Sequence, residues 1–338
     1  LAVDRVRYVG DAVAIVVAET KGQARDAAEA VAVDYEELPA VIDAVAALQP
    51  GAPQIHPEAE GNLIFDWEIG DSKAADEAIA RAAHVTKMHI VNNRLVPNAM
   101  EPRAALGHYD KAEDHYTCWT TSQNPHVARL VMSAFYNVAP ENKLRVIAPD
   151  VGGGFGSKIY IYPEEIVCLW ASKKTGVPVK WVADRTESFL CDAHGRDHVS
   201  EVQMAFDADN RIIGLKVDTI ANLGAYMSLF SSCVPTYLYA TLLSGQYAIP
   251  AIHCNVRTVY TNTAPVDAYR GAGRPEATYL LERTVETAAR ELGISPAELR
   301  RKNFITSFPY QTPVIMNYDA GDYAASLDAA MAAADYAG

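Results

Sequence analysis

The sequence predicts an α+β fold, a mixed α/β chain in which strands and helices interleave. Three observations predict it. Short apolar runs of strand length alternate with longer amphipathic stretches along most of the chain. Several of the longer stretches open on proline and end in lysine or glycine, as helices do. Residues 199–221 read as a hairpin that turns at DADN.

Taken in order, YVGDAVAIVVA (8–18) reads as a strand, TKGQARDAAEAVA (20–32) as an alanine-rich helix and VAVDYEEL (31–38) as a second strand. These form a small α/β unit over residues 1–48. QPGAPQIHPEAEGN (49–62), with three prolines and two glycines, reads as a linker or long loop. The main unit, 63–338, follows. In it HYTCWTTS (115–122) is a strand, and Pro125 opens the amphipathic helix PHVARLVMSAFY. LRVIA (144–148) is a strand. Pro163 opens PEEIVCLWASKKTG, with Glu164 and Glu165 in the first turn, Lys173 and Lys174 in the last and Gly176 beyond, so every terminal signal agrees. VKWVADR (179–185) is the next strand. Pro275 opens a long helix, and Ser295 with Glu298 makes a capping box for one more.

Composition narrows the function classes. The chain has 338 residues, half of them hydrophobic, enough for a substantial core. Its formal net charge of −13 opposes nucleic-acid binding, which needs clustered Lys and Arg. No apolar run approaches a membrane span. Five cysteines (118, 168, 191, 233 and 254) lie far apart with no close pair, which excludes the usual cysteine-rich zinc and iron–sulfur patterns and suits a reducing, cytoplasmic compartment. The chain begins at Leu1 and not at Met, so an upstream segment is expected.

Three junctions share one design: strand, short loop, proline, helix. Their loops are Ser122–Asn124, Gly152–Ile161 (within VGGGFGSKIYIYPEE) and Ala268–Arg274 (AYRGAGR). A helix N-terminus offers free N–H groups and positive partial charge, and successive glycine amides form a nest for an oxyanion. Arg270 and Arg274 add guanidinium groups suited to phosphate. If the loops meet, they describe a pocket for a large, oxygen-rich ligand.

The plainer alternatives remain open at this point. A glycine-rich turn serves any strained turn. GGGFGSK is not a P-loop, because Lys158 follows Ser157, and not a dinucleotide fingerprint, because Ser157 stands at the third glycine. Arg270 and Arg274 can be a solvated pair beside Asp267 and Glu276. His194 and His198 have the spacing of a zinc helix, but Gly195 disfavours that helix. Asp207 and Asp209 suit a hairpin turn better than a calcium loop. Glu164 and Glu165 can be an acid/base pair or simple helix-dipole partners.

TSQNPH (121–126), PDVGGGFGSK (149–158) and DAYRGAGRPEA (267–277), in that order, resemble the molybdenum-binding large subunit of the xanthine oxidase and aldehyde oxidase family, and its carbon monoxide dehydrogenase-like branch in particular. The resemblance extends to RVRYVGDAVAIVVAE, NRLVPNAMEPRAAL, VKWVADRTESF, GRDHV and RRKNF. It implies the end of an a/b hammerhead domain over 1–48, followed by the first molybdopterin-binding domain. It also implies a molybdenum–molybdopterin cofactor, as its cytosine dinucleotide, with the metal held through the pterin dithiolene and by no protein side chain. Gln123 matches the glutamine that hydrogen-bonds the apical oxo ligand. Gly153, Gly154, Phe155 and Gly156 match the loop that closes over the metal, and Ala268, Tyr269, Arg270 and Gly271 match the segment that lines metal and pterin. Gln123, Phe155 and Arg270 fall among the catalytic positions.

The implied reaction is hydroxylation of a C–H group with oxygen from water, electrons leaving through Fe–S and FAD partner subunits. Departures bear on the substrate. Gly271 occupies the position of the copper-binding cysteine of carbon monoxide dehydrogenases, and without a thiolate Cu(I) has no soft ligand. Ile159 and Leu238 stand where xanthine-oxidising relatives carry a glutamate and an arginine. A small neutral organic substrate is expected, an aldehyde or N-heteroaromatic, with AYMSLFSSCVPTYLY (225–239) lining its funnel. Carbon monoxide oxidation and a degenerate, non-catalytic scaffold are the alternatives. The family's glutamate base belongs to a later G-x-G-E-like segment, so the chain is expected to need the remaining half of its subunit. Glu101 and Glu164 are the only in-chain substitutes, and neither is favoured.

Overall fold

A computed structural model describes residues 1–336. Helix α1 (Lys21–Glu29) forms with a full capping box, Thr20 accepting from the Gln23 N–H. The strands expected at 8–18 and 31–38 do not form. A strand exists only when a neighbour satisfies its backbone groups. Among the described residues no ladder partner is present, and Val13, Ile15, Val17, Val31 and Val33 stay exposed.

Residues 41–62 are anchored. Val41, Ala44 and Ala47, the last two on the short helix α2 (Ala44–Ala47), pack with Ile55 and Val259. Buried Asn62 accepts from the Ile55 N–H and donates to the Ala47 and Pro53 carbonyls.

Two sheets follow. The larger is built from β1 (Leu63–Gly70), β2 (His84–Asn92), β7 (His198–Phe206), β8 (Ile212–Gly224) and β9 (Ile252–Tyr260), in the order β1-β9-β8-β7-β2. The hairpin β7–β8 forms as expected, its turn closed by Asp207 accepting from the Asp209 and Arg211 N–H groups. Strand β9 runs parallel to β8 after a long connection that carries the short helix α7 (Tyr237–Ala240). Helix α8 (Arg274–Leu292) covers one face. Its Leu280, Leu281, Val285 and Ala288 meet Met204, Phe206, Leu215 and Val217 in the main core. Each fully buried Val, Leu, Met or Phe side chain here contributes about 1.5–3 kcal/mol. Helix α3 (Ser72–Ala80) takes the opposite face, where Ala78 lies against Gly214.

The smaller sheet has the order β5-β4-β3-β6, from β3 (Ala104–Asp110), β4 (His115–Thr120), β5 (Leu144–Ile147) and β6 (Val179–Val182). Helices α4 (Pro125–Ala134) and α5 (Pro163–Thr175) pack on it, with Tyr116, Cys118, Met132, Leu144 and Leu169 as core. Gly176 ends α5 in the left-handed region, as its sequence demands. A β-carbon at Gly107 would stand 2.4 Å from the Cys168 carbonyl carbon on α5. Gly107→Ala therefore should destabilise the protein by about 1–3 kcal/mol, read as a lower denaturation midpoint. An unchanged midpoint would mean α5 can shift without cost.

Helix α6 (Arg185–Cys191) follows β6. Helix α9 (Pro296–Asn303), the strand pair β10 (Tyr310–Gln311) and β11 (Asn317–Tyr318), and α10 (Tyr323–Ala333) complete the described residues. The Ser295 side chain makes no capping bond, contrary to expectation; Pro296 at the first helical position has no N–H to satisfy and starts α9 with its fixed φ.

Candidate functional site

The three loops meet. Ser122, Gln123, Val151, Gly153, Gly154, Phe155, Gly156, Ile159, Ala268, Tyr269, Arg270, Gly271 and Ala272 line one cavity of about 490 Å³. Two loops leave the smaller sheet, after β4 and after β5. The third precedes α8 and joins the larger sheet region through a β-bridge between His194 and Val266.

Gln123 organises the first wall. Its backbone N–H donates to the Lys158 carbonyl at 2.7 Å, and its Oε1 accepts from the Gly156 N–H at 2.9 Å and the Lys158 N–H at 3.3 Å. Two N–H donors on one atom fix that atom as the oxygen. Among the described residues the amide nitrogen has no hydrogen-bond partner, and Gln123 is one of the residues that line the cavity.

The glycine loop is built around this amide. A β-carbon at Gly154 would stand 2.2 Å from Gln123 Oε1, and one at Gly156 (φ +109°) 2.1 Å from the Ala268 carbonyl oxygen. The backbone contact and positive φ at Gly156 admit only glycine, and a side chain at Gly154 would displace the Gln123 amide from its place. Between them Phe155 adopts φ +52°, a left-handed conformation disfavoured for a bulky residue, and the residue is 42% exposed. Its carbonyl accepts from the Arg270 N–H at 2.8 Å, and the Arg270 guanidinium lies 5.6 Å from its ring centre. Second and third loops are thus joined at the backbone.

Beneath the glycine loop, Glu101 accepts at Oε2 from the Gly152 N–H and from Lys158 Nζ, both at 2.8 Å. Burial raises its pKa, but Lys158 and the Gly152 N–H outweigh that and hold it below the usual carboxylate range. One carboxylate therefore ties both ends of the loop. Glu164 pairs with Arg103 at 3.0 Å, and Glu165 accepts from Thr120 and from the Tyr162 N–H. None of these three glutamates lines the cavity.

Several alternatives are settled by geometry. Arg270 and Arg274 do not pair with Asp267 or Glu276. Asp267 is buried and accepts from the Phe230 and Ala268 N–H groups, while Glu276 pairs with Arg196. HGRDH is not helical: Arg196 and Asp197 have φ of +66° and +69°. Burial and adjacent Arg94 hold the His194 imidazole below its ordinary pKa, and Arg94 Nη1 lies 3.2 Å from His194 Nδ1. Among the described residues no cluster of His, Cys, Asp and Glu is arranged to hold a metal ion. The expected funnel segment 225–239 contributes no lining residue to this cavity. It packs behind the third loop, where the Leu238 backbone meets Gly273.

Sequence reasoning passed over Arg196, and it named Glu101, Lys158 and Glu276 only in other roles, missing the pairs Glu101–Lys158 and Arg196–Glu276. The two pairs they form are separated by 57 and 80 positions, and no local spacing announces such contacts.

The cavity fits the implied group on its own terms. It offers backbone N–H groups, a free amide donor and room where glycines keep β-carbons out, and needs no side-chain ligand.

A family model described as the molybdopterin cofactor-binding domain matches residues 55–304. A second, described as the a/b hammerhead domain of aldehyde oxidase and xanthine dehydrogenase, matches residues 1–39. The chain is 40% identical to a carbon monoxide dehydrogenase large chain of Hydrogenophaga pseudoflava, over 99% of this chain and 44% of that one. It is 35% identical to the nicotine 6-hydroxylase large subunit of Paenarthrobacter nicotinovorans, over 99% of this chain and 41% of that one. Among solved structures, quinoline 2-oxidoreductase from Pseudomonas putida 86 superposes with a TM-score of 0.92 at 33% identity, over 98% of this chain and 42% of that one. The chain spans less than half the length of each of these relatives.

Proposed function

Because the chain belongs to the molybdopterin cofactor-binding family, we propose that it forms one wall of the cofactor pocket in the large subunit of a molybdenum hydroxylase. The observation that carries this reading is the convergence of three loops on one cavity with the Gln123 amide nitrogen left free to donate. When bound, a molybdenum–pterin group supplies the transfer of water-derived oxygen to carbon and accepts two electrons.

The chain's residues bind and orient. Gln123 presents its amide NH2 group, fixed in direction by the Gly156 and Lys158 N–H groups on its oxygen. Gly153, Gly154 and Gly156 let backbone approach closely, Phe155 closes the loop over the cavity, and the 268–271 segment supplies the facing wall. Fe–S and FAD subunits and the rest of the large subunit complete the assembly, with the cofactor in its cytosine dinucleotide form.

Lining chemistry favours a small neutral substrate, an aldehyde or N-heteroaromatic. Ile159 lines the cavity and carries no charge to orient a purine. Gly271 also lines it, and among the described residues no cysteine does, so this wall offers Cu(I) no thiolate and carbon monoxide is disfavoured. The intact Gln123 cradle argues equally against a degenerate scaffold.

The test is metal and pterin analysis of the purified complete complex, followed by turnover with an aldehyde, an N-heteroaromatic and carbon monoxide. Stoichiometric molybdenum with oxidation of one of the first two is expected. A complex without molybdenum overturns the reading, and turnover of carbon monoxide alone overturns the substrate class.

A further inference from the structure

The third loop is gripped from beneath by a residue outside all three loops. Arg196, 6% exposed, donates from Nη2 to the Arg270 carbonyl at 2.9 Å and from Nη1 to Glu276 Oε1 at 2.9 Å. A longer bond of 3.4 Å reaches the Tyr269 carbonyl, and the guanidinium lies 4.6 Å from the Tyr269 ring centre. Glu276, in the first turn of α8, is 1% exposed. Two consecutive carbonyls of a cofactor-lining loop and the helix that follows are therefore held by one planar fork. Lysine has no such fork.

The Arg196 backbone is held against its preference. Its φ of +66°, followed by +69° at Asp197, costs energy in residues with a β-carbon. Neighbouring contacts enforce it. Gly195 exchanges two backbone bonds with Leu95, the Asp197 N–H donates to the Asn92 carbonyl, and Asp197 pairs with Arg94 at 2.7 Å. Gly195 also packs so closely that a β-carbon there would stand 2.3 Å from Tyr269 Cβ.

A hydrogen-bonded path continues from this grip. Arg270 gives its carbonyl to Arg196 and its N–H to Phe155, and the next amide, Gly156, donates to Gln123 Oε1. We propose that Arg196 is a positioning residue of the cofactor site, fixing the separation between the 268–271 wall and the Gln123 wall. This rests on the cofactor reading given above.

The test compares Arg196→Lys and Gly195→Ala in the complete complex. Arg196→Lys keeps a charge beside Glu276 but loses the fork. Gly195→Ala keeps the ion pair and pushes the Tyr269 wall. Molybdenum and pterin per assembled complex are measured, with the Mo(V) electron paramagnetic resonance line shape. The expected result is on the order of tenfold less cofactor, or an altered line shape in what remains, at unchanged circular dichroism. Should Arg196→Lys fail to assemble, Gly195→Ala decides alone. Wild-type molybdenum content and line shape in the variants overturn this inference while leaving the cofactor reading intact. A wild-type complex lacking molybdenum sinks both.

Discussion

Gln123→Glu in the complete complex is expected to lower kcat by about 10²–10³-fold, the loss seen when one preorganised donor is removed from a reacting centre. The substitution is chosen because it preserves shape. One carboxylate oxygen still accepts from the Gly156 and Lys158 N–H groups, so the glycine loop keeps its anchor. The other replaces the free N–H donor with an acceptor. Molybdenum content close to wild type with the large loss in kcat is the predicted pair of results, from metal analysis and steady-state kinetics. Gln123→Ala would also remove the loop's anchor and confound the two effects. Unchanged turnover in Gln123→Glu would show that the amide donor has no part in the reaction.

Arg103→Ala is expected to cost about 3–5 kcal/mol of stability, because breaking a buried ion pair strands its partners. Arg103 has a side chain 5% exposed, bonds Glu164 at 3.0 Å and Asp192 at 2.5 Å, and stacks 3.5 Å from the Tyr162 ring centre. It joins the edge of β3 to the start of α5 and to the segment after α6. Tyr162 in turn donates to the Ser157 carbonyl at the end of the glycine loop. Denaturant unfolding with the slope compared between variants measures the loss. A cost below about 1 kcal/mol would mean that water replaces the guanidinium in this cluster.

Much of the site was legible before the fold was known. The three loops were found because proline-opened helices and glycine runs are local signals, and their order matched a family pattern. Ile159 and Gly271, which the family resemblance marks as departures, line the cavity. The misses are of another kind. Residues 8–18 have strand chemistry, but strands also require a partner, which no stretch of sequence contains within itself. Arg196 was invisible because its significance lies in carbonyls 73 and 74 positions away and in a backbone conformation that arginine does not advertise. The segment 225–239 contributes no residue to this cavity, and apolar composition alone does not say which face a segment presents.

The cavity lies on a seam. Two of its walls grow from the four-stranded sheet and the third from the region of the five-stranded one, so whatever fills it touches both. Occupancy and cohesion are then thermodynamically linked. A ligand that binds only when the two halves are apposed opposes their separation, by about 1.4 kcal/mol for each tenfold excess of its free concentration over Kd. Filling the pocket therefore stabilises the apposition of the two sheets as well as holding the ligand.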